Sequence, residues 1–184
     1  MAGPSDLEQL MLELINETRL DPMGNAARYI SSYAPLISTD PRVQSAIGAF
    51  GVDGAALLAA YSSLVPVGAL AWNDALGTAA EKHSAAMIAT QTQTHQATGE
   101  LGLGARILAE GYNYSNVGEN VYAYSATPLF GHAGFMIDWG YGPGGMQSPA
   151  GHRNNIMDAD FREIGIGLIE ELNGATSVGP DSNA

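Results

Sequence analysis

Apolar residues recur at helical spacing from the start of the chain, at Leu7, Leu10, Met11, Leu14 and Ile15. Ser5-Asp6-Leu7-Glu8 ahead of them reads as a capping box, with Ser5 as N-cap and Glu8 reaching back. The spacing predicts a first helix that ends near Asp21-Pro22. Pro22 is suited to the first turn of a second helix, which would carry Ala26, Ala27, Tyr29 and Ile30. Asp40-Pro41 opens a helical stretch to about Ala49, and Asp53 or Gly54 opens another through Leu57, Leu58 and Tyr61 to Leu64. After the short apolar run Leu70-Ala71-Trp72, Asn73 can cap a long helix from Asp74 to about Thr92. Its inward stripe is Leu76, Ala79, Ala80, His83, Met87 and Ile88.

Further on, a helix is expected from Gly104 to Glu110, closed by Gly111, and a strand from Val117 to Tyr124. Pro128 to Asp138 reads as a helix, and the Gly- and Pro-rich run Gly140 to Gly151 as a loop. Ile164, Ile166 and Leu168 alternate with Gly165 and Gly167, the pattern of a strand lying close against a neighbour. Helices dominate and the few strands come late, so the fold class is α+β rather than alternating βα units. The expected organisation is one domain over 1–172, with a polar tail at 173–184.

Composition narrows the functional classes. Seven Lys and Arg against nineteen Asp and Glu give the 184-residue chain a net charge of −12. Association with a nucleic-acid backbone or an anionic membrane would start from repulsion. Cysteine is absent, which removes disulfides and thiolate chemistry without fixing the compartment. The most apolar stretch, Ala55 to Leu70, is interrupted by Ser62, Ser63, Pro66 and Gly68 and falls short of a membrane span. The first residues lack the basic start and apolar core of a signal peptide.

Against this background three polar islands stand out: Thr94-His95, Gly118-Glu119-Asn120 and Gly151-His152-Arg153-Asn154-Asn155-Ile156-Met157. Two neutral imidazoles and one carboxylate can fill three positions of a tetrahedral Zn²⁺ and leave one open for water. The plainer reading is that both histidines hold loops in place through hydrogen bonds. Glu119 is in turn a ligand, an orienting carboxylate, a general base beside a histidine, or a turn residue that accepts backbone N–H groups. His83 reads as a satisfied core histidine and His132 as a surface one. Arg106, Arg153 and Arg162 are expected to pair with carboxylates or cap helix ends. Trp72 and Trp139 are expected in the core or a cleft wall. Asp158 and Asp160 lack the spacing of a calcium loop.

The same residues carry a family resemblance. Leu14-Ile15-Asn16 with Arg19, Leu70-Ala71-Trp72-Asn73 with Leu76, and Ala80 with His83-Ser84 and Met87 come first. His95, Arg106 with Gly111-Tyr112, and Gly118-Glu119-Asn120 follow. Ser148-Pro149 with Gly151 to Met157, then Phe161-Arg162-Glu163-Ile164-Gly165-Ile166-Gly167, complete the series. In this order, over Leu7 to Leu168, the chain resembles the CAP superfamily of cysteine-rich secretory, antigen 5 and pathogenesis-related proteins, and within it bacterial, cysteine-free SCP-like members. The resemblance implies an α-β-α sandwich, an extracellular location, and a cleft with two histidines and two acidic residues. His95, Glu119 and His152 match three of those positions. The fourth, a Glu after the family's Trp, has no counterpart, because Trp139 is followed by Gly140, Tyr141 and Gly142; Asp138 is the nearby carboxylate that can stand in.

The function implied is a secreted module whose cleft binds a divalent cation, Zn²⁺ first among them, and a small ligand or peptide. One alternative is a metal-assisted hydrolase of extracellular or envelope substrates with Glu119 as its catalytic group, although no His-Glu-x-x-His helix and no nucleophile elbow is present. Others are a lipid or sterol carrier and an adhesion module of a longer secreted protein with calcium-binding repeats.

Overall fold

In a computed structural model of the chain, the described backbone covers residues 3–173 and 176–183, with side chains described as far as 170. The chain runs through α1 (Asp6–Leu20), α2 (Pro22–Ala26), β1 (Ile30–Tyr33), β2 (Leu36–Ser38), α3 (Pro41–Phe50) and α4 (Gly54–Ser62). It continues with β3 (Ala71–Trp72), α5 (Asp74–Thr90), α6 (Leu103–Ala109), β4 (Val121–Tyr122), α7 (Pro128–Ile137) and α8 (Gly151–Ile156). β5 (Glu163–Ile164), β6 (Ile169–Asn173) and β7 (Thr176–Asn183) follow. This is an α+β chain, as its hydrophobic pattern predicts. No single helix among the described residues is long and apolar enough to cross a membrane.

The helix starts follow their caps. Ser5 N donates to Glu8 Oε2 at 2.8 Å and Glu8 N to Ser5 Oγ at 3.4 Å, the two reciprocal bonds of a capping box. Asp40, Asp53 and Asn73 cap α3, α4 and α5 through their side chains. The second helix is shorter than its pattern suggests. α2 stops at Ala26, and Ile30 begins a hairpin in which Ile30 faces Ser38 and Tyr33 faces Leu36. Ser31, Ser32 and Tyr33 favour extended backbone over helix, and this local preference outweighs the apolar spacing. The strand expected over Val117 to Tyr124 is pared to β4.

Two compact units are distinguishable. The first comprises residues 1–12, 70–131 and 160–184. Its centre is α5, which buries Ala79, Ala80, His83, Ser84 and Met87. β3 and β5 pair in parallel, Ala71 with Glu163 and Trp72 with Ile164. The chain leaving β5 lies directly on α5: a Cβ at Gly165 would overlap the backbone of Leu76 and Gly77, and one at Gly167 that of Ala80 and Glu81. Ser84 Oγ secures this approach by donating to Gly167 O at 2.9 Å. β4, β7 and β6 form a second small sheet in that order.

The second unit comprises residues 13–69 and 132–159. Ile15, Tyr29, Val43, Leu57, Tyr61 and Phe135 are buried in its core. Arg19 is fully buried and serves as a carbonyl clamp. Its Nε donates to Gly68 O at 2.6 Å, and its Nη1 to Ile156 O at 2.6 Å and Asp158 O at 2.9 Å. His132 is also fully buried, where the sequence suggests a surface residue. Its Nε2 stands 2.9 Å from both Thr18 Oγ1 and Asn25 Oδ1, polar partners brought together by folding. Its Nδ1 is buried without a hydrogen-bond partner among the described residues. Burial, with a smaller contribution from the nearby Arg28 charge, pushes its pKa down from 6.5 to about 3.

These observations set two expectations. Gly167→Ala lowers stability by about 1–3 kcal/mol because backbone cannot give way to the new methyl. Gly48→Ala, exposed on α3 with open space around the missing Cβ, raises it by about 0.4–1 kcal/mol; denaturant midpoints of the two variants check both. His132 favours the neutral ring when folded, so the unfolded chain binds the extra proton first as pH falls. The ring's contribution is therefore intact above pH 6.5 and is lost progressively down to about pH 3, at up to about 1.4 kcal/mol per pH unit. Replacing it in His132→Gln flattens that limb of the stability–pH curve relative to wild type.

Candidate functional site

α5 ends at Gln91 in the left-handed conformation, and the chain turns into a loop that carries His95. Two residues before it, Gln93 imitates a strand: its Oε1 accepts from Ala123 N at 3.0 Å, and its Nε2 donates to Val121 O at 3.4 Å. This side chain ties the His95 loop to β4 and thereby to Glu119. His95 Nδ1 donates to Glu119 Oε1 at 2.8 Å, while Arg106 Nη2 donates to Glu119 Oε2. The imidazole is 63% exposed and the carboxylate 5%. One partner is therefore wet and the other dry, so a solvent-reachable ring rests on a fixed acceptor.

A second histidine–carboxylate pair lies in the other unit. Asp138, directly after α7, is fully buried with φ at 57°, a backbone state that is costly for a residue other than glycine. Its Oδ1 accepts from His152 Nδ1 at 2.7 Å, and its Oδ2 from His152 N at 3.1 Å. α8 has no capping bond from its own N-cap, Ala150. Asp138 supplies the anion at that helix start from a different element. Arg153 secures the other side: its Nε donates to Met136 O at 2.6 Å and its Nη2 to Ile137 O at 2.7 Å, satisfying the last carbonyls of α7. The His152 ring, 20% exposed, lies against Phe135 with centroids 5.2 Å apart.

Folding thus joins His95 to Glu119 and His152 to Asp138, each pair within its own unit. Among the described residues, no group of three or more His, Asp or Glu side chains stands in an arrangement that would hold a metal ion. Each carboxylate already serves its histidine, and Glu119 also serves Arg106. His83 is the satisfied core residue its helix position suggests, with Nδ1 2.7 Å from Glu100 Oε2 and Nε2 2.9 Å from Thr94 O. Gln93 and Glu100 carry no motif that marks them in the sequence. The pairing of Arg106 with a carboxylate was expected, but not that the carboxylate would be Glu119.

The family model for the cysteine-rich secretory protein family, CAP, matches residues 12–178. The chain belongs to that family, here in a form without cysteine. Its fold is similar to that of an extracellular protein containing a SCP domain from Bacillus anthracis, known from a 1.5 Å crystal structure. The TM-score is 0.50 at 18% identity, over 76% of this chain and 40% of that one. The chain therefore spans less than half the length of that neighbour. No curated protein matches it.

Asp138→Ala removes in one step the acceptor of the His152 ring and the cap of α8. A loss of about 2 kcal/mol is expected, in line with a buried hydrogen bond to a charged group. Urea denaturation measures it, and Asp138→Asn, which keeps one acceptor oxygen, is expected to lie between the variant and wild type.

Proposed function

We propose that the chain is an extracellular CAP module that binds divalent cations, Zn²⁺ foremost, at the imidazole of His95 in one unit and at that of His152 in the other. Glu119 and Asp138 act as the carboxylates that orient those rings. The observation that carries this reading is the same in both units. A carboxylate holds Nδ1–H, which fixes the tautomer and leaves the lone pair of the neutral ring on Nε2, the form in which histidine ligates a metal. The extracellular assignment is supported by the family and by the SCP-domain neighbour. Bound Zn²⁺ would supply a Lewis acid able to polarise a ligand carbonyl or a water molecule. The occupied oxygens of Glu119 favour an orienting role over that of a free general base. A small ligand or peptide bearing a carbonyl or carboxylate oxygen is the class of molecule such a cation would take.

Calorimetric titration with Zn²⁺ tests the proposal. Each ring serves its own ion in this reading, so His95→Ala and His152→Ala are each expected to halve the stoichiometry. Heats unchanged in the double variant would refute cation binding at these residues. Glu119→Gln is expected to weaken binding by about 10–100-fold without abolishing it.

A further inference from the structure

We infer that Glu100 and His83 are positioning residues for His95: together they hold shut the loop that presents it. The inference rests on the reading of His95 as the working imidazole of its unit. An exposed ring on a loop has no packing of its own to fix it, so its aim must come from the loop's anchors. Both anchors trace to one fully buried side chain on α5. His83 Nε2 lies 2.9 Å from Thr94 O, immediately before His95, and His83 Nδ1 lies 2.7 Å from Glu100 Oε2, five residues beyond it. The same Glu100 oxygen accepts from Ala97 N at 3.1 Å, and Glu100 N donates to Ala97 O at 3.0 Å. The segment from Thr94 to Glu100 is folded around that carboxylate.

The circuit closes through the other oxygen. Glu100 Oε1 faces Arg106 Nε at 3.7 Å, Arg106 Nη2 donates to Glu119 Oε2, and Glu119 Oε1 accepts from His95 Nδ1. His95 is bonded covalently to Thr94, where the circuit began. Ring, carboxylate, guanidinium, carboxylate and ring alternate around it, and apart from His95 each of these side chains is at most 14% exposed. The Glu100–Arg106 link is an ion pair and the others are hydrogen bonds, so a swing of one member disturbs the partners on either side of it. Neutralising Glu100 leaves the His83 ring and the Ala97 amide with a weaker acceptor and Arg106 with a single carboxylate. The grip on Glu119 and His95 then loosens at a distance from either.

Ring ¹⁵N–¹H correlation spectra of ¹⁵N-histidine-labelled protein, recorded metal-free at mildly alkaline pH, read the tautomer of His95 directly. Wild type is expected to show His95 protonated at Nδ1 and bare at Nε2. Glu100→Gln and His83→Gln are expected to shift the ring toward a mixture of both tautomers, with Zn²⁺ affinity falling about 10–100-fold. Glu119→Gln serves as the reference. If that change leaves the His95 ring untouched, the orienting role of Glu119 fails. If it alters the ring while the Glu100 and His83 variants do not, only the present inference is overturned. Wild-type hydrogen exchange covers the case in which those variants do not fold. The Ala97 amide is expected to be protected, and exchange at the rate of an open loop overturns the inference.

Discussion

A carboxylate that grips an imidazole through Nδ1 decides where the ring's lone pair points, and each candidate site in this chain is built around one such grip. Water competes for both partners, so the bond orients the ring only if one of them is removed from solvent. Glu119 and Asp138 are that partner, with their histidines left more open. Burying an ionised carboxylate is expensive unless donors surround it. That requirement explains why Arg106 stands at Glu119, and why two backbone N–H groups of α8 face Asp138. The supporting groups are thus a condition of the ring's orientation.

The two units meet this condition by different means. Around Glu119 the supports are side chains spread over α5, α6 and the intervening loop, where Gln93 and Glu100 do what a regular strand would otherwise do. Around Asp138 the supports are the termini of two helices, α7 ending and α8 beginning, with Arg153 and Asp138 exchanged across the junction. The left-handed backbone at Asp138 is the local strain this compact arrangement carries. The His152 ring is the more buried of the two.

Much of the scaffold was legible in the residues. Ser5 with Glu8, Asp40, Asp53 and Asn73 announce helix starts because each cap is a local interaction between residues two or three apart. Gly165 and Gly167 announce a close approach, since an absent side chain leaves room for a neighbour, although the strand their alternation suggests ends at Ile164 and both lie beyond it. The hairpin after α2 was hidden because Ile30 fits helical and extended spacing equally, and the choice fell to its serine neighbours. His132 reads as exposed because its partners, Thr18 and Asn25, lie more than a hundred residues earlier. The candidate histidines were visible as polar islands in apolar surroundings. The pairing of Glu119 with Arg106 was not, because nothing in linear spacing distinguishes that arginine from any other helix cation. Asp138 could be offered as a stand-in from its place beside Trp139, while its capping of α8 depends on a turn of chain that only the folded backbone displays.

The capping carboxylate of the first helix has a second duty with consequences for how the fold is assembled. Glu8 Oε2 holds Ser5, and Glu8 Oε1 accepts from Leu168 N at 3.1 Å, across 160 residues of chain. The bond to Ser5 can form as soon as the helix begins to wind, yet the other oxygen of the cap must wait until Leu168 is brought back to it. Contacts of such long range are slow to form because the chain between them must be gathered first. The first turn of α1 is therefore completed only when the chain from Glu8 to Leu168 has been gathered, so a fragment cut before Leu168 leaves one oxygen of that cap without its partner.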